Sequence, residues 1–146
     1  MKWLVTGSGG YLGAHLISKL LRNELTFLPL VGKSLSSTNR LRYLGVKGEY
    51  VELSDFQTVR ERFQEFKPDV VVHLASLKSP EESNRFPDLY LKNNLQILIN
   101  VFATEACKSY NMVHCVIVQT NACTLDLNAP SSSEEVDIGN PLFYSF

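Results

Sequence analysis

The chain has 146 residues, of which 45% are hydrophobic and 20% charged, and its formal net charge is −1. This size predicts one domain over residues 1–146, with enough apolar side chains for a core. The near-neutral charge gives no basis for binding nucleic acid or an acidic membrane surface, and no apolar run is long enough to span a membrane.

Cysteine usage and the N-terminus indicate the compartment. Cys107, Cys115 and Cys123 are odd in number and match no close-spaced metal motif, so we expect reduced thiols and no metal site. Packing accounts for Cys107 in a helical pattern and for Cys115 in an apolar strand pattern. The N-terminus begins a strand pattern almost at once and has no signal-peptide layout. We therefore expect a cytoplasmic protein.

Short apolar segments alternate with longer helical patterns along the chain. The predicted strands are residues 2–6, 26–31, 49–53, 69–74 and 113–119. Helices are predicted over residues 11–22, 55–66 and 87–110, with a short helical turn near 39–44. Asp55 is a suitable N-cap for its helix, and Pro68 marks that helix's end. Strands separated by helices predict an α/β fold with a parallel sheet and right-handed crossovers.

A glycine-rich turn joins the first predicted strand to the first helix, with the sequence Val5-Thr6-Gly7-Ser8-Gly9-Gly10-Tyr11-Leu12-Gly13. Gly7 allows a tight turn, Gly10 leaves the backbone open to a pyrophosphate, and Gly13 lets the helix lie close to the strand. Free N–H groups and the positive dipole end at the helix start favour phosphates. The pattern predicts a three-layer, Rossmann-type, doubly wound parallel sheet of about five strands. The alternative is a glycine-rich turn without a ligand.

The segment after the second predicted strand departs from the usual dinucleotide-binding pattern. An acidic residue about 20 residues beyond the glycines commonly binds the ribose hydroxyls, whereas this chain has Gly32-Lys33-Ser34 there. One interpretation is that Lys33 and Arg40 hold a 2′-phosphate, which would favour NADP. Another is that Ser34 or backbone groups bind the ribose and NAD is accepted. A third is that both basic residues are solvated loop charges.

A second motif makes the interpretation more specific. The sequence Val70-Val71-Val72-His73-Leu74-Ala75-Ser76-Leu77-Lys78 is followed by Glu82-Ser83, Pro87, Tyr90 and Asn93-Asn94. Together with the glycine motif, this stretch closely resembles the extended short-chain dehydrogenase/reductases. Within them it is most similar to the NAD-dependent epimerase/dehydratase family, and in particular to its nucleotide-sugar 4-epimerases. The resemblance implies NAD as the cofactor, with NADP left open by Lys33.

The resemblance also implies a set of cofactor-binding residues. Those along the pyrophosphate would be Gly7, Gly10, Tyr11, Leu12 and, in the same turn, Gly13. Glu52 would face the adenine amino group, and Leu53 would follow it along the adenine edge. Those near the ribose and nicotinamide would be Leu74, Ala75, Ser76, Lys78 and Asn93. The purely structural alternatives are a packed strand residue at His73, helix-surface amides at Asn93 and Asn94, and a loop charge at Lys78.

Catalysis in this family is hydride transfer, and two residues here resemble its catalytic positions. A Ser or Thr binds the sugar hydroxyl, a Tyr phenolate removes its proton, and a Lys four residues later lowers the phenol pKa from its free value of about 10. Asn121 occupies the Ser or Thr position, where it can orient a hydroxyl but is poorly suited to relay a proton. Tyr144 is either the catalytic tyrosine or an ordinary aromatic residue. A lysine four residues after it would lie beyond Phe146.

These departures leave alternative functions open. The chain is either the cofactor-binding part of a nucleotide-sugar epimerase/dehydratase, incomplete at its C-terminus and without a substrate-binding domain, or a non-catalytic NAD(P)-binding module of that family. A reductase acting on a ketone is a third option. For these 146 residues alone we expect dinucleotide binding without epimerase turnover. A nucleotide-sugar would bind only with a C-terminal domain. The resemblance also implies a homodimer formed through the helix near 87–110.

Overall fold

The computed structural model describes residues 1–33, 35–106 and 114–117. Strands alternate with helices in these ranges, and two consecutive helices precede the last strand. In chain order they are β1 (Lys2–Thr6), α1 (Tyr11–Arg22), β2 (Thr26–Val31), α2 (Leu35–Tyr43), β3 (Glu49–Tyr50), α3 (Phe56–Phe66), β4 (Val70–His73), α4 (Pro80–Arg85), α5 (Pro87–Ala106) and β5 (His114–Ile117). Among these helices, none combines the length and the apolar character that a membrane crossing requires.

The strands of the described ranges form one parallel sheet in the order β3-β2-β1-β4-β5. The chain builds outward from β1 through β2 to β3, and then returns to the other side of β1 for β4 and β5. This reversal confirms the predicted doubly wound, Rossmann-type sheet. It also creates a switch point between β1 and β4, because α1 and α5, the long helices that follow these strands, lie on opposite faces of the sheet. Such a point leaves a crevice at the carboxyl edge of the sheet.

Side chains of β1 alternate between two buried layers, because successive residues of a strand point to opposite faces of the sheet. Leu4 belongs to a cluster that contains Phe63 of α3 and Val101 of α5. Val5 belongs to a second cluster that contains Ile17 of α1. Helices therefore cover both faces of the sheet, as the apolar character of its strands predicts.

Local signals set the bounds of α3. The Asp55 carboxylate accepts a hydrogen bond from the Gln57 backbone N–H at 3.1 Å and so caps the first turn. Lys67 ends the helix in the left-handed conformation, with φ at 52°, and its N–H donates to the Phe63 carbonyl at 2.8 Å. Pro68 follows and cannot continue the hydrogen-bonding pattern. Both predicted signals therefore operate as expected.

Several predicted bounds were wrong. β3 ends at Tyr50 rather than at residue 53, because the Asp55 N–H donates to the Glu52 carbonyl at 3.1 Å and closes a turn there. α2 is a nine-residue helix, Leu35–Tyr43, rather than a short turn near 39–44. β4 is one residue shorter at each end than predicted. Predicted parts of the last helix and strand, at residues 107–110, 113 and 118–119, lie outside the described residues.

The sequence reasoning missed α4, although its start carries recognisable signals. Ser79 accepts a hydrogen bond from the Glu82 N–H at 3.3 Å, Pro80 occupies the first turn, and Glu81 and Glu82 are acidic residues close to the helix N-terminus. Each of these features favours a helix start. With six residues the helix is too short to show a hydrophobic period, so only its cap could have revealed it.

Replacing Phe63 with alanine is expected to lower the free energy of unfolding by about 3–5 kcal/mol, because the side chain is fully buried between sheet and helix. Phe86→Ala is the matched control: that side chain is 56% exposed, so its loss should cost less than about 1 kcal/mol. Urea unfolding followed by circular dichroism measures both. Equal losses in the two variants would contradict the assignment of Phe63 to the core.

Candidate functional site

The glycine turn after β1 lies against the segment that follows β4. Gly7 has φ at +65°, and the Gly10 N–H donates to its carbonyl at 2.9 Å. A Cβ atom at Gly7 would lie 2.8 Å from backbone atoms of Leu74 and Ala75, a distance that real contacts do not reach. A Cβ atom at Gly13 would overlap the Gly7 carbonyl oxygen. The absence of side chains at both positions thus permits the close approach of strand, turn and helix.

Gly10 has a different environment, and this leaves the start of α1 accessible. It is the N-cap of α1, and no side chain caps the helix there. A Cβ atom at Gly10 would have only the Gly7 carbonyl within 4 Å, at 3.1 Å. The first N–H groups of a helix lack partners within the helix, and the first turn of α1 contains no acidic residue. The turn therefore fits a phosphate group, which would occupy open space before a positive helix end.

Two hydroxyl groups connect the turn to the strands on either side of β1. The fully buried Thr6 accepts hydrogen bonds through Oγ1 from the N–H groups of Leu74 and Ala75, at 3.2 and 3.3 Å. Ser8, also fully buried, donates through Oγ to the Leu30 carbonyl at 2.8 Å. The sequence reasoning assigned no role to either residue. Their position beside the glycines was the available signal.

His73 completes this network as a neutral group. Its Nδ1 lies 2.7 Å from Thr6 Oγ1. Because that oxygen already accepts two backbone N–H groups, its hydrogen is available to donate to Nδ1. Burial lowers the pKa of His73 from 6.5 to about 4, so the ring is uncharged at neutral pH. The structure therefore agrees with the interpretation of His73 as a packed strand residue.

Lys33 and Glu52, two of the residues predicted at the adenosine end, contact each other. The Lys33 Nζ lies 3.4 Å from a Glu52 carboxylate oxygen and 5.7 Å from the centre of the Tyr50 ring. Glu52 also accepts hydrogen bonds from the hydroxyls of Ser54 at 2.7 Å and Tyr50 at 3.0 Å. These bonds, first that from Ser54, lower the pKa of Glu52, and Tyr50 followed by Glu52 raises the pKa of Lys33. Both groups are thereby held in their charged forms.

Arg40, the other basic residue considered for a 2′-phosphate, contacts the glycine turn directly. Its Nη1 donates to the Gly9 carbonyl at 3.1 Å. This bond holds α2 against the turn between Gly7 and Gly10. Neither Lys33 nor Arg40 is thus a purely solvated charge, although both side chains lie at the carboxyl edge of the sheet.

The residues predicted near the ribose and nicotinamide follow β4. Leu74 and Ala75 are half-buried, Ser76 and Lys78 are exposed, and Asn93 is half-buried on α5. The neighbouring Asn94 fixes this segment, because its Oδ1 accepts from the Leu77 N–H at 2.8 Å and its Nδ2 donates to the Leu77 carbonyl at 3.0 Å. Asn94 is therefore a positioning residue rather than a surface amide.

Two more side chains of the second motif have structural partners. The Tyr90 hydroxyl donates to a Glu82 carboxylate oxygen at 2.6 Å and joins α4 to α5, and this bond raises the pKa of Tyr90. Farther along α5, Asn100 is only 2% exposed and donates to the Leu53 carbonyl at 2.8 Å. Leu53 itself packs against the core cluster. Through Asn94 and Asn100, α5 thus holds the backbone of the segments that follow β4 and β3.

The remaining candidates lie outside the described residues: Ser34, Asn121 and Tyr144. The catalytic assignments of Asn121 and Tyr144 stay predictions. Those described lie at the carboxyl edge of the sheet, on the turn after β1, the segments after β2, β3 and β4, and α5. The strand order and the glycine turn that leads into α1 define a Rossmann-type α/β domain.

Comparisons with known proteins identify the family more closely. The model of the NAD dependent epimerase/dehydratase family matches residues 3–143. UDP-glucose 4-epimerase 2 of Arabidopsis thaliana is 34% identical over 118 residues, which cover 73% of this chain and 34% of that protein. The structure of the Thermus thermophilus UDP-glucose 4-epimerase in complex with NAD has a TM-score of 0.64 and 31% identity, covering 71% of this chain and 33% of that one. A UDP-glucose 4-epimerase structure from Thermotoga maritima, with UDP-glucose, has a TM-score of 0.68 and 25% identity, covering 82% of this chain and 38% of that one.

This chain belongs to the NAD-dependent epimerase/dehydratase family. The family assignment made from the two motifs is therefore confirmed. The chain spans about a third of the length of the relatives it matches.

Comparing Gly7→Ala with Gly45→Ala separates the stability cost of a steric clash at a close approach from the cost of a left-handed backbone. Both glycines have positive φ, +65° and +69°, but a Cβ atom at Gly45 would meet nothing within 4 Å. We expect Gly45→Ala to cost about 1 kcal/mol through its left-handed conformation and Gly7→Ala about 2 kcal/mol more, because its Cβ must displace the backbone after β4. Urea unfolding measures both. Equal costs would contradict the close approach.

The pKa of His73 predicts how stability depends on pH. The unfolded chain takes up a proton on His73 near pH 6.5, while the folded protein does so only near pH 4, so acidification between these values favours unfolding. This histidine should remove up to about 3 kcal/mol of stability across that window. His73→Asn should flatten the dependence. Unfolding titrations of the wild type and this variant from pH 7.5 to 3.5 test this, and identical slopes in the two proteins would refute the assignment.

Proposed function

We propose that this chain binds NAD as the cofactor-binding part of a nucleotide-sugar epimerase. One observation carries the proposal: the turn with close contacts at Gly7 and open space at Gly10 lies at the start of α1, beside the switch point between β1 and β4. Open parallel sheets bind dinucleotides at this point, with the pyrophosphate at the helix N-terminus. Family membership and the NAD complex of the Thermus relative support the same cofactor.

The residues divide among the parts of the cofactor along the sheet edge. We assign the pyrophosphate to the residues of the turn, Gly7, Gly10, Tyr11, Leu12 and Gly13. We assign the adenosine to the segments after β2 and β3, with Lys33, Glu52 and Leu53. We assign the ribose and nicotinamide half to Leu74, Ala75, Ser76, Lys78 and Asn93. These groups bind and orient the cofactor. When bound, NAD supplies a reversible acceptor for hydride from a sugar carbon.

The activity of the whole enzyme is proposed from its relatives. The Arabidopsis and Thermus proteins are named as UDP-glucose 4-epimerases, which makes a nucleotide-sugar the proposed substrate class. We propose that residues 1–146 form one NAD(P)-binding domain and that the sugar is bound mainly by the part of the relatives that this chain does not match. The alternative of a non-catalytic module gains no support from relatives that are named as epimerases.

Homodimerisation and a cytoplasmic location belong to the same proposal. On α5, Leu91, Leu95 and Ile99 follow each other at four-residue spacing and are 71, 50 and 49% exposed. Residues at this spacing lie on one face of a helix, and an exposed apolar face favours association. The cysteine content supports a reducing compartment.

Titration with NADH tests the cofactor proposal. The wild-type chain should bind NADH, detected by calorimetry, and Gly10→Val should weaken binding at least about tenfold, because its side chain would project into the space open to the pyrophosphate. The Gly10 backbone is extended, with φ at −68° and ψ at 175°, a conformation that valine can adopt, and its Cβ would meet only the Gly7 carbonyl oxygen, at 3.1 Å. Circular dichroism checks that the variant is folded. If the wild type gave no heat with NADH, the proposed function would be wrong.

A further inference from the structure

The register of the sheet brings Lys33 and Glu52 to the same level. Val31 of β2 pairs with Tyr50 of β3, and the two strands are parallel. Lys33 and Glu52 each stand two residues beyond that pair, where the strands end. The same register therefore brings their side chains close enough for an ion pair, with the Lys33 Nζ 3.4 Å from a Glu52 carboxylate oxygen. The pair thus lies at the adenosine end of the proposed cofactor crevice.

The contacts on Glu52 hold its carboxylate in place. Two hydroxyls, from Tyr50 and Ser54, donate to it in addition to the Lys33 ammonium. The side chains of Lys33 and Glu52 remain 78% and 47% exposed. Exposed ion pairs contribute little to folding stability. The main consequence of this pair is therefore the local charge that a ligand meets at the sheet edge.

In dinucleotide-binding folds, the segment after the second strand commonly contains an acidic residue that binds the ribose hydroxyls. This chain has Lys33 in that segment instead. We propose that Glu52, from the segment after β3, supplies this carboxylate to the ribose, in place of the contact with the adenine amino group that the resemblance implies, and, by pairing with Lys33, makes this site select NAD over NADP. The inference rests on the proposed binding of a dinucleotide.

The two cofactors differ only in the 2′-phosphate, so selection depends on the charges that this group meets. A dianionic phosphate would be repelled by Glu52 and would have to compete with it for Lys33. A free ribose hydroxyl can instead donate to the carboxylate. Arg40 already donates to the Gly9 carbonyl, which leaves Lys33 as the basic residue whose availability Glu52 controls.

Glu52→Gln removes the charge while it keeps the size of the side chain. The full chain and its variants are titrated with NADH and NADPH by calorimetry, and the ratio of the two dissociation constants is the measured quantity. We expect this ratio to shift at least about tenfold toward NADPH in Glu52→Gln. The double variant Glu52→Gln/Lys33→Gln should lose most of the shift. Glu24→Gln is the control, because it makes the same change in net charge just before β2, at the opposite edge of the sheet.

Each outcome decides a separate point. An unchanged ratio in Glu52→Gln, with NADH binding retained, would overturn the inference and leave the proposed function standing. A shift that persists in the double variant would overturn the role of Lys33 and assign the 2′-phosphate to Arg40. An equal shift in Glu24→Gln would show that the change in net charge alone causes the effect, and it would also overturn the inference. Failure of the wild type to bind either cofactor would refute the proposed function, and the inference with it.

Discussion

The close approach of two backbones at the switch point is the constraint on which the site depends. The turn after β1 can lie against the segment after β4 only because Gly7 has no side chain. Thr6 then fixes the separation by accepting hydrogen bonds from Leu74 and Ala75. Since α1 begins at the end of this turn, the same contact aims its N-terminus at the crevice. A side chain at Gly7 would move the N-terminal end of the helix as well as the strand.

The buried polar groups at this contact are neutral, and this determines where charge can act. Thr6 and His73 satisfy each other inside the sheet, and burial lowers the pKa of His73 so that it carries no charge at neutral pH. The first turn of α1 contributes no acidic residue. A phosphate at the turn would therefore meet the helix dipole and backbone N–H groups rather than a buried ionised side chain. Charged side chains enter at the outer end of the crevice, where Lys33 and Glu52 lie.

The parts of the fold that the sequence predicted well are those with local causes. The bounds of α1, β1 and β2 follow from hydrophobic pattern and glycine positions, and Asp55 caps α3 through a bond within the same turn. The misses have longer-range causes. Asn94 and Asn100 look like helix amides in the sequence, but they bind backbone groups 17 and 47 residues away. The pairing of Lys33 with Glu52 depends on the β2–β3 register, which no single segment encodes.

The two ends of the crevice therefore contribute differently to cofactor recognition. NAD and NADP share their pyrophosphate, so the turn at α1 cannot distinguish them however well it binds. Discrimination has to occur at the ribose, where the cofactors differ. At the proposed adenosine end of the crevice, this chain combines a cation from the segment after β2 with a carboxylate from the segment after β3. A basic residue in this region is commonly interpreted as favouring a 2′-phosphate, but its partner decides whether that charge is available. Under the inference drawn for Glu52, cofactor preference in this chain is a property of two adjacent strand ends, and Lys33 alone does not determine it.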